Sequence, residues 1–350
     1  MTILYGFGSN SSGQLGIGHL DDVQIPQPCL GLPDDDAIIK VVGGSNHAAA
    51  LTRSGHVYLS GTGQLGEKER KRIEQQDPEI SSKEWARFRK LGVSSDKAWR
   101  DVACGWSFTI LVDKEEGRVY GLGTARFGEF NGPQEATEPV EISGLKDIVA
   151  VACGWRHVVA IDKQGQLFGW GWGKHGQLLE QVKIRTPKQI DVPEPIVQIA
   201  CGHIFSLVLG KHGKVYGFGS NKYQQLGEEK TQELVQMVDV QNISRISTGW
   251  HHCGAYSDEN KRLVCWGRHD HGQTGPAKEN VDYFVCGSEH TLAVRNNTLL
   301  AWGWNEHGNC ASNEESVFEP QIVPIPDGTI SIIGAGCASS WVGIDSQTSA

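Results

Sequence analysis

The chain lacks most of what membrane insertion, disulfide cross-linking or a familiar catalytic centre requires. No apolar run approaches the roughly 20 residues a membrane-spanning helix needs. Met1-Thr2-Ile3-Leu4-Tyr5-Gly6 has neither the basic region nor the long apolar stretch of a secretory leader. The expected location is therefore the cytoplasm and nucleus. Nine cysteines, an odd number, are scattered from Cys29 to Cys337 without one CxxC pair. They read as small buried hydrophobes in a reducing compartment rather than as a disulfide or metal framework. HExxH, GxSxG, the P-loop and zinc-spaced cysteine sets are all missing. No catalytic residue, cofactor site or metal site is assigned, and the chain is expected to bind rather than to catalyse. Positive charge is also in deficit, with 32 Lys and Arg against 41 Asp and Glu for a formal net charge of -9. Such a surface repels a phosphate backbone, so direct nucleic-acid binding is not expected.

What is abundant is glycine, 44 residues, alongside 11 tryptophans and only 2 methionines. That composition predicts many short strands joined by tight turns. Two phrases recur in strict alternation. The first is an apolar pair, then glycine, large apolar, glycine, and later GQLG, opening as Tyr5-Gly6-Phe7-Gly8 with Gly13-Gln14-Leu15-Gly16. It returns around Gly61, Gly123, Gly171, Gly219, Gly267 and Gly303. The second is V/I-A-C-G-x-x-H, as in Val151-Ala152-Cys153-Gly154-Trp155-Arg156-His157. Its cysteine position falls at Gly43, Cys104, Cys153, Cys201, Thr248, Cys286 and Ala335, at intervals of 61, 49, 48, 47, 38 and 49 residues. Seven units follow, with an insertion in the first gap and a shortening in the fifth; self-similarity at this period marks propellers and solenoids.

Within a unit, Val158-Val159-Ala160-Ile161, the turn Asp162-Lys163-Gln164-Gly165 and Leu167-Phe168-Gly169-Trp170 read as a hairpin. The Pro-led Thr186-Pro187-Lys188-Gln189-Ile190 suits an outer edge strand. The chain opens on the second strand of a hairpin, Ile3 to Gly8, and ends on what should be its first, Ser340 to Ile344. Pairing those ends closes the ring and removes two exposed edges. The expected fold is all-β, a single seven-bladed β-propeller over residues 1–350. The glycine phrases serve architecture and not dinucleotide binding, because no helix or βαβ pattern follows them.

The two phrases resemble the repeats of the regulator of chromosome condensation family, over nearly the whole chain from Tyr5 to Ile344. No WD dipeptide closes any unit, and the Gly43-Gly44 doublet stands alone, so other common propeller repeats fit badly. Three segments, Tyr5 to Asn10, Trp302 to Cys310 and Gly336 to Val342, resemble a fungal branch of that family, the killer-toxin-insensitivity or α-tubulin suppressor proteins. That resemblance implies a non-catalytic heterodimer partner of a small zinc- or iron-binding electron carrier used in diphthamide synthesis. It also implies a link to Elongator-dependent wobble-uridine modification of tRNA. The founding member of the family implies an alternative, a guanine-nucleotide exchange factor for a small GTPase.

Propellers bind through the loops that leave their sheets. After each cysteine-glycine stand Trp106, Trp155, His203 and Trp250, followed by Arg156 and His251. Units related by rotation would gather these six residues on one face, and Trp and Arg are enriched at binding hot spots. The phrase-ending His47, His157, His252 and His290 occupy one equivalent position in separate units, where Phe108, Phe205 and Ser339 substitute. They read as half-buried structural histidines, since metal ligands must converge on one point. Residues 67–84 are charge-rich with mixed signs and read as a flexible charged insertion. Trp85 to Leu91 could start a helix capped by Ser81 and Glu84, but the repeat register places an outer strand there.

Overall fold

The second strand of each unit is rich in apolar and small residues on both of its faces, as in Val158-Val159-Ala160-Ile161, the pattern of a strand covered on both sides. In the computed structural model, which describes residues 2–63, 71, 75, 84–92, 97–227, 233–237 and 242–345, twenty-eight strands form seven four-stranded antiparallel sheets. Blade 3 shows the plan: β11 (Ile148–Cys153) lies innermost, followed by β12 (His157–Asp162), β13 (Leu167–Trp172) and the outer β14 (Lys183–Ile190), which carries Pro187. All six residues of β12 are buried, as are all six of its counterparts β4 (His47–Thr52), β8 (Phe108–Asp113), β16 (Phe205–Gly210) and β20 (His252–Ser257). Neighbouring blades cover both faces of these strands.

Blades 1 to 6 span 38–90, 99–142, 148–190, 196–236, 245–279 and 283–322. Blade 7 is built from both ends of the chain. Its inner strands β27 (Thr329–Ala335) and β28 (Ser339–Asp345) pair with β1 (Thr2–Gly8) and the outer β2 (Val23–Pro28). The β1–β28 register sets Ile3 opposite Ile344 and Gly8 opposite Ser339, so the closure read from the sequence is present. The three end segments meet at the seam between blades 6 and 7: Ser9 N donates to Ala338 O (2.7 Å) and Ser340 Oγ to Asn309 O (2.9 Å).

The shortened fifth interval costs blade 5 most of its outer strand, which is only Lys278–Glu279. In blade 1 the outer strand is Arg89–Lys90, as the register required, with Glu84 and Trp85 in a helical turn just before it. The proposed flexible insertion, 67–84, lies outside the described residues except for Lys71, Gln75 and Glu84. Among the described residues no helix is long and apolar enough to cross a membrane.

The GQLG phrase fixes the turn between the third and fourth strands. The side-chain oxygens of Gln14, Gln177, Gln225 and Gln273 accept hydrogen bonds from the amides of Ser12, His175, Tyr223 and His271 at 2.8 to 3.0 Å. The same residue's backbone carbonyl receives the indole of the next blade, as with Trp266 Nε1 to Gln225 O (2.9 Å) and Trp302 Nε1 to Gln273 O (3.1 Å). One residue therefore shapes its own turn and accepts a bond from its neighbour. Blade 2 carries Glu129 instead, fully buried, with one oxygen accepting from Phe127 N (2.6 Å) and the other without a partner. Burial raises its pKa. Glu129→Gln should therefore stabilise the fold by about 1 kcal/mol at pH 8, the scale of an unsatisfied buried group. The gain should shrink as pH falls towards the raised pKa, where Glu129 is already protonated; urea midpoints at pH 8 and pH 5 test this.

Candidate protein-binding face

The ACGxxH phrase explains itself at the joint between blades. The four phrase-ending histidines are fully buried rather than half-buried. Each reaches a hydroxyl on the next blade: His47 to Thr109 (3.0 Å), His157 to Ser206 (3.1 Å), His252 to Thr291 (3.0 Å) and His290 to Ser340 (2.9 Å). Ser206, Thr291 and Ser340 in turn donate to the carbonyls of Gln177, Gln273 and Asn309. A hydroxyl that spends its one hydrogen on a carbonyl can only accept from the imidazole, so Nε2 carries the proton. Where histidine is replaced, its partner position changes with it: Phe108 is followed by Val158 in the next blade, Phe205 by Cys253, and Ser339 by Ala48. Histidine faces a hydroxyl, and the other residues face apolar ones. The preceding glycine is obligatory, since a Cβ on Gly154 would lie 2.1 Å from His157 Cε1 and 2.5 Å from Gly202 O.

Two residues after the cysteine position, backbone bonds close a ring around the axis. Ser45 N donates to Trp106 O, Trp106 N to Trp155 O, Trp155 N to His203 O, His203 N to Trp250 O, Trp250 N to Ser288 O, Ser288 N to Gly336 O and Cys337 N to Gly44 O, at 2.7 to 3.3 Å. The backbone holds the ring, so its side chains are free to differ.

Those side chains converge. Ring centroids lie 6.2 Å apart for Trp106 and Trp155, 4.7 Å for Trp155 and His203, 5.3 Å for His203 and Trp250, and 5.7 Å for Trp250 and Trp106. Trp106 and Trp250 belong to blades 2 and 5, which are not neighbours, so the four rings form a closed, half-buried cluster across the axis. The Arg156 guanidinium lies over Phe127 (4.2 Å) and Trp155 (4.8 Å). His251 sits 5.5 Å from His203 and hydrogen-bonds the buried Glu289. All six residues singled out in the sequence are thus brought together.

The structure adds a second tier from the turns after each GxG phrase, which the sequence reading missed. Trp172 N donates to Arg156 O (2.8 Å), Arg268 N to His251 O (2.9 Å) and Trp304 N to Glu289 O (2.8 Å), bringing these turns beside the first loops. Gly171 supports this approach with φ +100°, and a Cβ there would lie 2.6 Å from Arg156 O. Trp172 packs on Trp155 (5.2 Å) and Phe127 (5.3 Å), Tyr223 on His251 (5.0 Å), and His271 stacks on Trp304 (4.5 Å). The signal was present in the residues just past each glycine phrase. Burial alone would raise Glu289, but the His251 hydrogen bond brings it below the ordinary carboxylate range. Burial, reinforced by His251, lowers His203 to about 4. The cluster therefore presents neutral aromatic surface with charge at its border.

Behind the cluster, all seven innermost strands line a channel with a cavity of about 330 Å³ that includes Cys104, Cys153, Cys201, Cys286 and Cys337. All nine cysteines are free thiols, and burial pushes Cys104 and Cys201 up to about 12. Among the described residues no group of three or more His, Cys, Asp or Glu is placed to hold a metal ion.

The joint predicts a pH response. Burial lowers His47 and His252 to about 4 and His157 and His290 to about 3. Below the ordinary histidine pKa the unfolded chain takes up protons that the fold refuses, so stability falls from about pH 6.5 down towards these values. The pair His157→Phe with Ser206→Val, copying the Phe108 and Val158 joint, should remove one proton from that dependence, about 1.4 kcal/mol per pH unit between pH 6 and 5. Denaturant midpoints measure it.

A family model described as RCC1-like domain matches residues 3–342. A stretch of 170 residues, 47% of this chain and 34% of the relative, is 34% identical to the Secretion-regulating guanine nucleotide exchange factor of Mus musculus. Another of 165 residues, 46% of this chain and 35% of the relative, is 31% identical to the Ultraviolet-B receptor UVR8 of Arabidopsis thaliana. The match spans only about a third of each relative's length. Prp20p from Saccharomyces cerevisiae superposes with a TM-score of 0.86 at 21% identity, covering 99% of this chain and 92% of that one. Human WBSCR16 superposes with a TM-score of 0.83 at 18% identity, covering 99% and 100%. These two structures share the fold. With a family model running through nearly the whole repeat array and seven blades closed by paired ends, the chain belongs to the RCC1-like domain family.

Proposed function

We propose that this chain is a non-catalytic protein-binding scaffold or regulatory subunit that docks its partner on the aromatic face of the ring. The cluster of Trp106, Trp155, His203 and Trp250 carries this reading. Packed aromatic rings with one side open, bordered by Arg156 and His251, are the composition of an interface hot spot. The partner we favour is a small zinc- or iron-binding electron carrier of diphthamide synthesis, held as a heterodimer. Through it the chain would act in Elongator-dependent tRNA wobble-uridine modification, in the cytoplasm and nucleus. What supports this choice is the resemblance of the three end segments, which meet at one seam of the same ring.

A second reading, exchange factor for a small GTPase, is favoured by the 34% identity to the mouse Secretion-regulating guanine nucleotide exchange factor. Prp20p, described with binding properties to Gsp1p and histones, shares the fold. Nucleotide release from a panel of small GTPases separates this reading from the first.

Trp155→Ala with Trp250→Ala should weaken partner binding by about thirtyfold or more, since a hot-spot truncation costs about 2 kcal/mol. Titration calorimetry with the purified carrier measures it. Full affinity in the folded double variant would remove this face from the account.

A further inference from the structure

One repeated position on the rim separates charge by sign. It lies third after the second glycine of each GxG phrase, at the tip of a turn that in blades 2 to 5 and 7 is locked by the glutamine or its Glu129 equivalent. In blades 2, 3 and 4 it holds Arg126, Lys174 and Lys222; in blades 5 and 6 it holds Asp270 and Glu306; in blade 7 it holds Ser11; and all six are exposed. The blade 1 equivalent lies outside the described residues.

The division extends beyond that position. On the first arc, Lys183 Nζ reaches Arg126 O (2.8 Å) and lies 5.9 Å from the Phe127 ring, beside Arg156. On the second arc, Glu306 shares a surface depression with Glu314 and Glu315, bordered by His307, which pairs with Asp22 of blade 7 (2.7 Å). Arg268 on that arc is committed to Asp270 (2.7 Å) and Glu289 (3.4 Å). The tryptophan cluster lies inward of these positions, on the axial loops of blades 2 to 5. In a chain of formal net charge -9, a run of three exposed cations at one repeat position is against the average.

We infer that the partner is a protein with a bipolar docking surface: an acidic segment over blades 2 to 4, apolar residues on the tryptophan cluster, and a basic segment over blades 5 and 6. This rests on the aromatic face being the docking face, and it adds the partner's charge pattern and orientation. Opposite charges steer encounter and fix register, whereas like charges brought together cost several kcal/mol. A uniform polyanion such as a nucleic acid would meet repulsion from Glu306, Glu314 and Glu315. A reversed protein would meet it on both arcs.

The test uses three synthetic 20-residue peptides with one Trp-Leu-Trp centre: acidic on both flanks, basic on both flanks, and acidic then basic. A single-stranded oligonucleotide of similar charge is the fourth probe, and all are titrated by fluorescence anisotropy. The acidic-then-basic peptide should bind at least tenfold tighter than either uniformly charged peptide. Lys174→Glu with Lys222→Glu should weaken it about tenfold, while Glu306→Lys should weaken it but leave the acidic peptide no weaker. These differences should fade between about 0.05 M and about 0.5 M salt. These substitutions are at exposed turn tips, and an unchanged unfolding midpoint confirms an intact fold. A uniformly acidic or uniformly basic peptide that binds as tightly as the acidic-then-basic one, no binding of the acidic-then-basic peptide, or an oligonucleotide that matches it would overturn the inference. The carrier titration with Trp155→Ala and Trp250→Ala judges the face itself separately.

Discussion

Everything in this ring depends on the joint between adjacent blades. A sheet buried on both faces can be stabilised only by its neighbours, and here each neighbour is met by a polar fastening as well as by apolar packing. The histidine-to-hydroxyl bond, the indole-to-carbonyl bond and the backbone ring at the channel mouth all cross that boundary. Each such bond contributes about 1 kcal/mol net, and leaving one buried partner unmet costs more. That asymmetry accounts for the paired changes along the chain. His157 comes with Ser206, while Phe108 comes with Val158.

The same joint releases the face for function. Because main-chain atoms make the ring, a tryptophan, histidine, serine or cysteine can occupy its seven equivalent positions without disturbing closure. The chain places its aromatic residues over blades 2 to 5 and small ones at Ser45, Ser288 and Cys337. The resulting surface is lopsided, which suits a partner that must dock in one orientation. Edge-to-face and offset ring pairs add about 0.5 to 1.5 kcal/mol each, enough to hold the cluster in shape before a partner arrives.

Much of this was legible in the sequence because the repeat is periodic and its phrases are short. Seven units, the order of strands, closure through Ile3 and Ile344, and the convergence of Trp106, Trp155, His203 and Trp250 all follow from aligning one phrase with itself. Other features depend on contacts between positions that no single phrase contains. The full burial of His47 and His157 arises from the next blade's Thr109 and Ser206, about fifty to sixty residues away. The aromatic residues of the second tier, Trp172, Tyr223, His271 and Trp304, stand visibly just past each glycine phrase. Their approach to the first loops depends on backbone bonds between strands, such as Trp172 N to Arg156 O, that no phrase contains. The partner's identity is carried by no periodic feature of the chain.

Hydrogen–deuterium exchange on the free propeller and on its complex with the purified carrier tests the central claim most directly. The account predicts slowed exchange in the turns at 124–128, 172–176 and 220–224 and in the loops at 154–156 and 249–251, with no change in the hairpin turns at 162–165 and 210–213 on the opposite face. Protection of those hairpin turns, with the aromatic face exchanging as in the free protein, would contradict it.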